Sequence, residues 1–308
     1  MTTAFFLKPS SLISIADCSR ETLDFILQSA EKLSLSPHPE LLKGTTLATC
    51  FFEPSTRTRL SFETAMLQAG GSCIGFSEAA STSVKKGESL SDTIRMISAY
   101  ADIIALRHPL EGSARLASLV SDKPILNAGD GANQHPSQTL LDLFSILKCQ
   151  GRLEGLHIAL AGDLKFGRTI HSLSLALAHY GARLYFVSPE SLPLPETIQR
   201  DLRRKGIKFS FHPTLESVIP KVDILYMTRI QTERFASIDG SFTNSCLLKK
   251  HHLEKAKPHL KILHPLPRVD EIEKAIDDTP FAYYFQQAAH GVVVRGAILG
   301  LFLRRLPW

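Results

Sequence analysis

Ser55-Thr56-Arg57-Thr58-Arg59 sits between two segments of different periodicity. Upstream, the apolar run Thr46 to Phe52 reads as a buried strand, broken by Glu53-Pro54. Downstream, Phe62, Ala65, Met66 and Ala69 recur at i, i+3, i+4 and i+7, and Gly70-Gly71 ends the helix they predict. The five residues are therefore expected on a loop and the first helical turn after a strand. Unpaired backbone N–H groups and the positive end of the helix dipole meet there. Three hydroxyls and two guanidinium groups share the turn, which suits an anion such as phosphate. Serine and threonine are also ordinary N-caps, so capping alone competes with this reading. The arginines favour the anion, because cations oppose the dipole at a helix N-terminus.

Working outward, helices and strands alternate. Ser19 can cap a helix carrying Leu23, Ile26, Leu27 and Ala30 on one face, and Ser89 another with Leu90, Ile94 and Ile97. Further strands are read at Ser72–Phe76, Asp102–Arg107 and Pro124–Ala128, and helices at Glu111–Val120 and from His135 onward. After Gly151-Arg152 the pattern repeats. Strands are expected at Leu156–Ala161, Arg183–Val187, Lys208–Phe211, Asp223–Thr228 and Lys261–His264. Helices are expected from Arg168 to Tyr180 and at Glu196–Lys205, Leu247–Lys255 and Gln286–Leu303. The fold class this predicts is α/β: two domains, each a parallel sheet flanked by helices, with the active site in the cleft between them. Residues 1–150 form the expected first domain and 151–286 the second, with about 287–308 returning to the first. In open parallel sheets ligands sit at the carboxyl ends of strands. That rule gathers Ser55–Thr58, Arg107, the Asp130–Gln138 loop, Arg168, Arg229, Gln231 and His264-Pro265-Leu266-Pro267.

Composition narrows the chemistry. The 308 residues are 44% hydrophobic, enough for two ordinary cores. The net charge of +5 is carried by no long basic stripe, so small anionic substrates fit better than nucleic acid. Five scattered cysteines form no C-x-x-C pair and read as reduced cytoplasmic thiols. Phe5-Phe6-Leu7 is cut short by Lys8-Pro9 and makes a poor signal peptide; Gly291 to Leu303 contains Arg295 and is too short to span a bilayer. There is no G-x-S-x-G elbow, no P-loop and no G-x-G-x-x-G. His251-His252 reads as a solvent-facing pair in a Lys-rich helix rather than a metal site. What remains is a site that binds anions and polarises a carbonyl by positioning and electrostatics, without metal or cofactor.

Three motifs in this order, Ser55-Thr56-Arg57-Thr58-Arg59, His135-Pro136-Ser137-Gln138 and His264-Pro265-Leu266-Pro267-Arg268, resemble the aspartate and ornithine carbamoyltransferases over nearly the whole chain. Within that family the sequence is similar to the aspartate branch. Ornithine enzymes carry His-Cys-Leu-Pro where this chain has His264-Pro265-Leu266-Pro267, and a Ser-Met-Gly segment that is absent here. The guanidinium of Arg229 suits a carboxylate rather than an ammonium.

The resemblance implies roles residue by residue. Ser55, Thr56, Arg57 and Thr58 would hold the phosphate of carbamoyl phosphate, with Arg57 stabilising its departure. Arg107, His135 and Thr58 would polarise the carbamoyl oxygen. Gln138 and the carbonyls of Leu266 and Pro267 would hold the carbamoyl amino group. Arg168, Arg229 and Gln231 would bind the two carboxylates of aspartate. Ser83 and Lys86, on the polar loop after the second strand, match a loop that reaches the neighbouring subunit's site and there contacts aspartate, which implies a homotrimer. The implied product is carbamoyl-aspartate, an early intermediate toward pyrimidines. A separate zinc-containing regulatory chain that binds nucleotides is a further implication of the closest branch. A carbamoyltransferase for another amino acid, such as ornithine, and a non-catalytic anion-binding homologue stay open at this point.

Overall fold

The structure is a computed structural model and describes residues 11–78, 83–230 and 246–308. The chain divides into two compact units, Met1–Leu140 with Gly291–Trp308, and Leu141–His290.

In the first unit, β1 (Thr46–Phe51), β2 (Ser72–Phe76), β3 (Ile103–His108) and β4 (Ile125–Asp130) form a parallel sheet in the order β2-β1-β3-β4. Flanking it are α1 (Arg20–Leu35), α2 (Thr56–Gln68), α3 (Leu90–Ser98) and α4 (Ser113–Val120), and α5 (Pro136–Gln150) begins here. The strands β1, β3 and β4 are mostly buried, as in a parallel sheet covered on both faces, while the edge strand β2 is largely exposed. Ala48, Cys50, Ile104, Leu106 and Ile125 share one buried cluster with Ile94, Ala114 and Ala117. Ser19 and Ser89 are the expected caps, accepting N–H groups of Thr22 at 3.2 Å and Asp92 at 3.1 Å. The free edge of β4 is bridged by Leu12, whose N–H donates to Ile125 O and whose carbonyl accepts Asn127 N–H, both at 2.8 Å. The C-terminal segment packs within this unit. Arg295 lies 5.0 Å over the Phe62 ring, and Trp308 donates its indole N–H to Ser29 Oγ at 3.1 Å.

In the second unit, β5 (His157–Ala161), β6 (Arg183–Val187), β7 (Phe209–His212), β8 (Ile224–Met227) and β9 (Lys261–Leu263) are again all parallel, in the order β7-β6-β5-β8-β9. Its helices are α6 (Arg168–Leu177) and α7 (Glu196–Arg204), and α8 (Tyr284–Phe302) begins here and ends in the first unit. Ala159, Ala161, Val187, Leu225, Met227 and Ile262 meet in its core.

Two expectations need correction. The helix expected at Leu247–Lys255 is only a 3-10 turn at Lys250–Lys255. Leu248 is instead drawn into extended pairing with Ile272: its N–H donates to Glu271 O and its carbonyl accepts Glu273 N–H, both at 2.9 Å. Within that turn His252 does not face solvent, since its Nε2 lies 3.1 Å from Glu216 Oε1 and its side chain is 10% exposed. No metal-binding cluster of His, Cys, Asp or Glu occurs among the described residues.

Each sheet reverses its strand order once. In the first unit the chain builds β2 on one side of β1 and β3 on the other; in the second it builds β6 on one side of β5 and β8 on the other. Crevices for ligands open at the carboxyl ends of such strand pairs. The amino end of the second sheet is instead tied together by one carboxylate. Asp223, just before β8, accepts His157 N–H at 2.8 Å, Lys257 Nζ at 2.6 Å and His259 Nε2 at 3.0 Å. Burial pushes this carboxyl up, but those hydrogen bonds outweigh it and hold its pKa below the usual value. Its stabilisation is therefore full above the unfolded pKa of about 3.9 and is lost as acid titrates it through the lower folded value. Asp223→Asn, which keeps the shape but not the charge, should cost about 2–4 kcal/mol in urea unfolding at pH 7. That deficit should shrink as the pH is lowered below about 4.

Candidate active site

The two strands flanking the first switch point, β1 and β3, are locked together at their carboxyl ends by Phe52 N–H donating to Arg107 O at 2.9 Å. Ser55, Thr56, Arg57 and Thr58 follow β1, and Arg107 ends β3, so the topology brings them to one edge of the sheet. Ser55 occupies the N-cap position of α2 in extended backbone, yet its side chain makes no capping hydrogen bond. No acidic residue lies in the first turn. Thr58 is buried.

The two arginines of this turn differ. Arg59 is paired with Glu63 at 2.7 Å, one helical turn on, and Glu63 also accepts the Thr49 hydroxyl at 2.9 Å. For Arg57 no ion-pair or hydrogen-bond partner for the guanidinium occurs among the described residues. Partial burial lowers its pKa, though a guanidinium so perturbed stays charged. The positive end of α2 thus carries one cation that the described fold does not neutralise.

Arg107 is held by Glu53, Nη2 to Oε1 at 2.8 Å, and its side chain is 14% exposed. Glu53 was legible in the sequence only as a strand breaker; its partner lies in another strand, and no local signal links the two. β4 runs through Gly129 to Asp130, two residues beyond the expected end. Asp130 is buried and all four of its acceptor positions are used. Oδ1 takes Asn127 Nδ2 at 2.8 Å and Gln134 N–H at 3.2 Å; Oδ2 takes Gly112 N–H and Asn133 Nδ2, each at 3.0 Å. This carboxylate shapes the loop that delivers His135 and Gln138 to the start of α5. Both residues are buried, and His135 Nδ1 lies 3.5 Å from Ser137 Oγ. Ser83 and Lys86 are exposed on a single 3-10 turn.

The second unit repeats the device. Arg168 opens α6 after β5, and Arg229 follows β8, the strand across the switch point. The loop before Arg168 is wound on Asp163, whose Oδ1 accepts Lys165 N–H at 3.1 Å and Phe166 N–H at 2.8 Å. The chain folds back so tightly that a Cβ on Gly167 would lie 2.2 Å from Asp163 O. At Gly162, φ is +117° and a Cβ would lie 2.1 Å from Thr228 O. Only glycine permits β5 and β8 to end so close together. After β9 the chain makes the turn His264–Arg268, with Leu266 at φ 56° and a cis Leu266–Pro267 peptide. Gln231 lies outside the described residues. Arg168, Arg229 and the 264–268 turn are thus collected at one edge of this sheet.

Residues 10–148 match the family model described as aspartate/ornithine carbamoyltransferase, carbamoyl-P binding domain, and residues 154–302 its Asp/Orn binding domain. An aspartate carbamoyltransferase catalytic subunit of Chromobacterium violaceum is 55% identical over 95% of this chain and 97% of its own. One from Thermococcus onnurineus is 54% identical, covering 96% and 97%. Among solved structures, the catalytic subunit of M. jannaschii aspartate transcarbamoylase superposes with a TM-score of 0.89 at 50% identity, covering 96% of this chain and 98% of that one. The Trypanosoma cruzi aspartate transcarbamoylase in complex with carbamoyl phosphate and aspartate gives 0.87 at 37% identity, covering 94% and 95%.

A hydroxyl that caps α2 and one that awaits an anion respond differently to truncation. Loss of a capping serine typically costs about 1 kcal/mol. Because Ser55 makes no such bond, Ser55→Ala should change thermal stability by less than about 0.5 kcal/mol. The same variant should weaken the binding of inorganic phosphate several-fold, roughly the worth of one hydrogen bond to a charged group. Calorimetry of unfolding and of phosphate titration checks both.

Proposed function

The chain belongs to the aspartate/ornithine carbamoyltransferase family, and we propose that it moves the carbamoyl group of carbamoyl phosphate onto the amine of L-aspartate, giving N-carbamoyl-L-aspartate and phosphate. The observation that carries this reading is the uncapped, hydroxyl-rich start of α2, with Arg57 upon it and Arg107 at the adjacent strand end. A phosphate suits the former and a polarisable carbonyl the latter.

In this reading Ser55, Thr56, Thr58 and the first N–H groups of α2 grip the phosphate. Arg57 neutralises the charge that grows on it as the bond to the carbamoyl carbon breaks. Arg107, His135 and the Thr58 hydroxyl donate to the carbamoyl oxygen. Gln138 and the carbonyls of Leu266 and Pro267 accept from the carbamoyl amino group. Arg168, Arg229 and Gln231 take the two carboxylates of aspartate. The neutral amine attacks the carbonyl carbon, and negative charge builds on an oxygen already faced by donors. Each such donor contributes about 3–4 kcal/mol of barrier lowering in comparable sites. The departing phosphate accepts the amine proton. Nothing in this sequence of steps calls for a metal or a covalent intermediate.

The active form in this proposal is a homotrimer, in which Ser83 and Lys86 serve a neighbouring subunit's site, Lys86 reaching its aspartate. Support comes from exposed apolar side chains on the outer face of the first unit. Leu60 and Leu67 share one face of α2, and Ile74 lies on the edge strand β2. An uncovered apolar edge strand is a liability in a lone chain and an interface in an oligomer. The relatives' designation as catalytic subunits fits a larger assembly with further chains, which in this proposal are separate zinc-containing regulatory chains. Five free cysteines, three of them buried, suit a reducing cytoplasm, and no helix among the described residues is long and apolar enough to cross a membrane.

The test is an acceptor assay. Carbamoyl phosphate with L-aspartate should give carbamoylated product and phosphate, while L-ornithine gives none. Product from ornithine alone would keep the donor site and overturn the acceptor assignment; product from neither would overturn both. Arg57→Ala should lower turnover by about 10²–10³-fold or more with unfolding behaviour intact.

A further inference from the structure

We propose that His264 and Glu271 are positioning residues that aim the Leu266 and Pro267 carbonyls, and thereby make the enzyme select a donor bearing an N–H₂ group. The inference rests on the reading above, in which those carbonyls receive the carbamoyl amino group.

The turn after β9 begins as a backbone problem. Pro265 and Pro267 have no N–H. Of residues 265–267, only Leu266 carries a backbone donor, and that N–H is consumed by His264 Nδ1 at 2.8 Å. What the Pro-Leu-Pro backbone can offer a ligand is therefore acceptors alone, which is what an amino group needs and a methyl group cannot use. Leu266 must also be held at φ 56°, a region that non-glycine residues seldom adopt.

The holding device is a chain of hydrogen bonds. A ring nitrogen that accepts an N–H cannot itself be protonated, so the proton of His264 resides on Nε2. That nitrogen donates to Glu271 Oε1 at 2.7 Å, and Glu271 Oε2 accepts Val269 N–H at 3.0 Å. Glu271 thus selects the only tautomer of His264 that can hold Leu266. The histidine side chain is 1% exposed and that of the glutamate 11%, so water competes little for these bonds. Burial pushes the Glu271 carboxyl up, but the hydrogen bonds from His264 and Val269 prevail and keep it below its ordinary value.

The backbone of His264 is fixed as well. Its N–H donates to Gln287 Oε1 at 2.7 Å, Gln287 Nε2 donates to Asp142 Oδ1 at 2.7 Å, and Tyr226 OH donates to Asp142 Oδ2 at 2.8 Å. Beyond the turn, Arg268 forks onto Asp277 and donates to Tyr284 OH at 3.0 Å. Removing the Glu271 acceptor frees His264 to take its proton on Nδ1, which would then oppose the Leu266 N–H donor to donor.

The experiment compares carbamoyl phosphate with acetyl phosphate, in which a methyl replaces the amino group, by calorimetric titration and as substrate or competitor. The wild-type chain should prefer carbamoyl phosphate. In Glu271→Ala that preference should fall about tenfold, the worth of one to two hydrogen bonds, with acetyl phosphate and inorganic phosphate bound as before. Glu271→Gln, which can still accept the Nε2 proton, should keep the larger part of it. An unchanged preference in Glu271→Ala would overturn the proposal, and so would equal weakening toward both donors, which marks general disruption. A wild-type protein that makes carbamoyl-aspartate but shows no preference for the amino-bearing donor would overturn the role of the carbonyls; one that makes none would overturn the functional reading itself. In the wild-type protein, ¹⁵N-histidine spectra should show His264 protonated on Nε2 alone, assigned by its loss in His264→Asn. A proton on Nδ1 would sink the mechanism.

Discussion

Arg57 stands where a helix least favours a cation. The N-terminus of α2 carries roughly half a positive charge, and a like charge beside it is unfavourable by about 0.3–1 kcal/mol. Within α2 it is not doubled, because Arg59, two residues on, is neutralised by Glu63. The surrounding geometry follows from keeping that frustrated end in place. β1 must end at the sheet's switch point, α2 must start within a few residues, and β3 must bring Arg107 to the adjacent position. A dianion placed there resolves the repulsion, so binding energy is available before any chemistry begins.

The chain thereby separates two tasks that one compact sheet could not perform equally well. In the proposed reading the first unit offers hydroxyls, helix N–H groups and guanidinium to a phosphate and its carbonyl. The second presents guanidinium groups and, from Pro-Leu-Pro, bare carbonyls. The same parallel architecture serves both, since in each unit the candidate residues follow the carboxyl ends of strands at or next to a reversal of order.

Much of this was legible in the sequence. Strand and helix identities follow from periodicity and caps, and Ser19 and Ser89 cap as their positions predict. The motif residues also read as strand-end positions. What periodicity could not reveal was partnership across the chain. Glu53 serves Arg107 from the loop after a different strand, and His264 meets Gln287 from a helix that starts twenty residues later. Leu247–Lys255 misled because its Leu, Lys and Glu residues are good helix formers, while Leu248 finds a better partner in the strand-like segment at Ile272. Proximity in sequence carries no information about such choices; only the packed fold decides them.

The carboxylates show how an anion site is kept positive. Asp130, at the end of β4, and Asp163 and Glu271, after β5 and β9, each anchor a loop that delivers candidate site residues. A bare carboxylate about 4 Å from a bound phosphate would repel it by roughly 4 kcal/mol at an effective dielectric of 20. Each of the three is instead turned into its own loop and loaded with N–H donors: four for Asp130, two for Asp163, two for Glu271. The backbone and side-chain N–H dipoles that screen the charge are the same ones whose orientation the loop requires. Negative charge is thus used as the internal hub of each loop, and the outward face is left to cations, hydroxyls and directed carbonyls. Replacing such a hub with an apolar side chain would remove a charge from the site and at the same time release the donors that fix the loop, so its electrostatic and structural effects cannot be separated by deletion alone. Isosteric exchange, carboxylate for amide, is the substitution that divides them, because it keeps part of the hydrogen bonding while abolishing the charge.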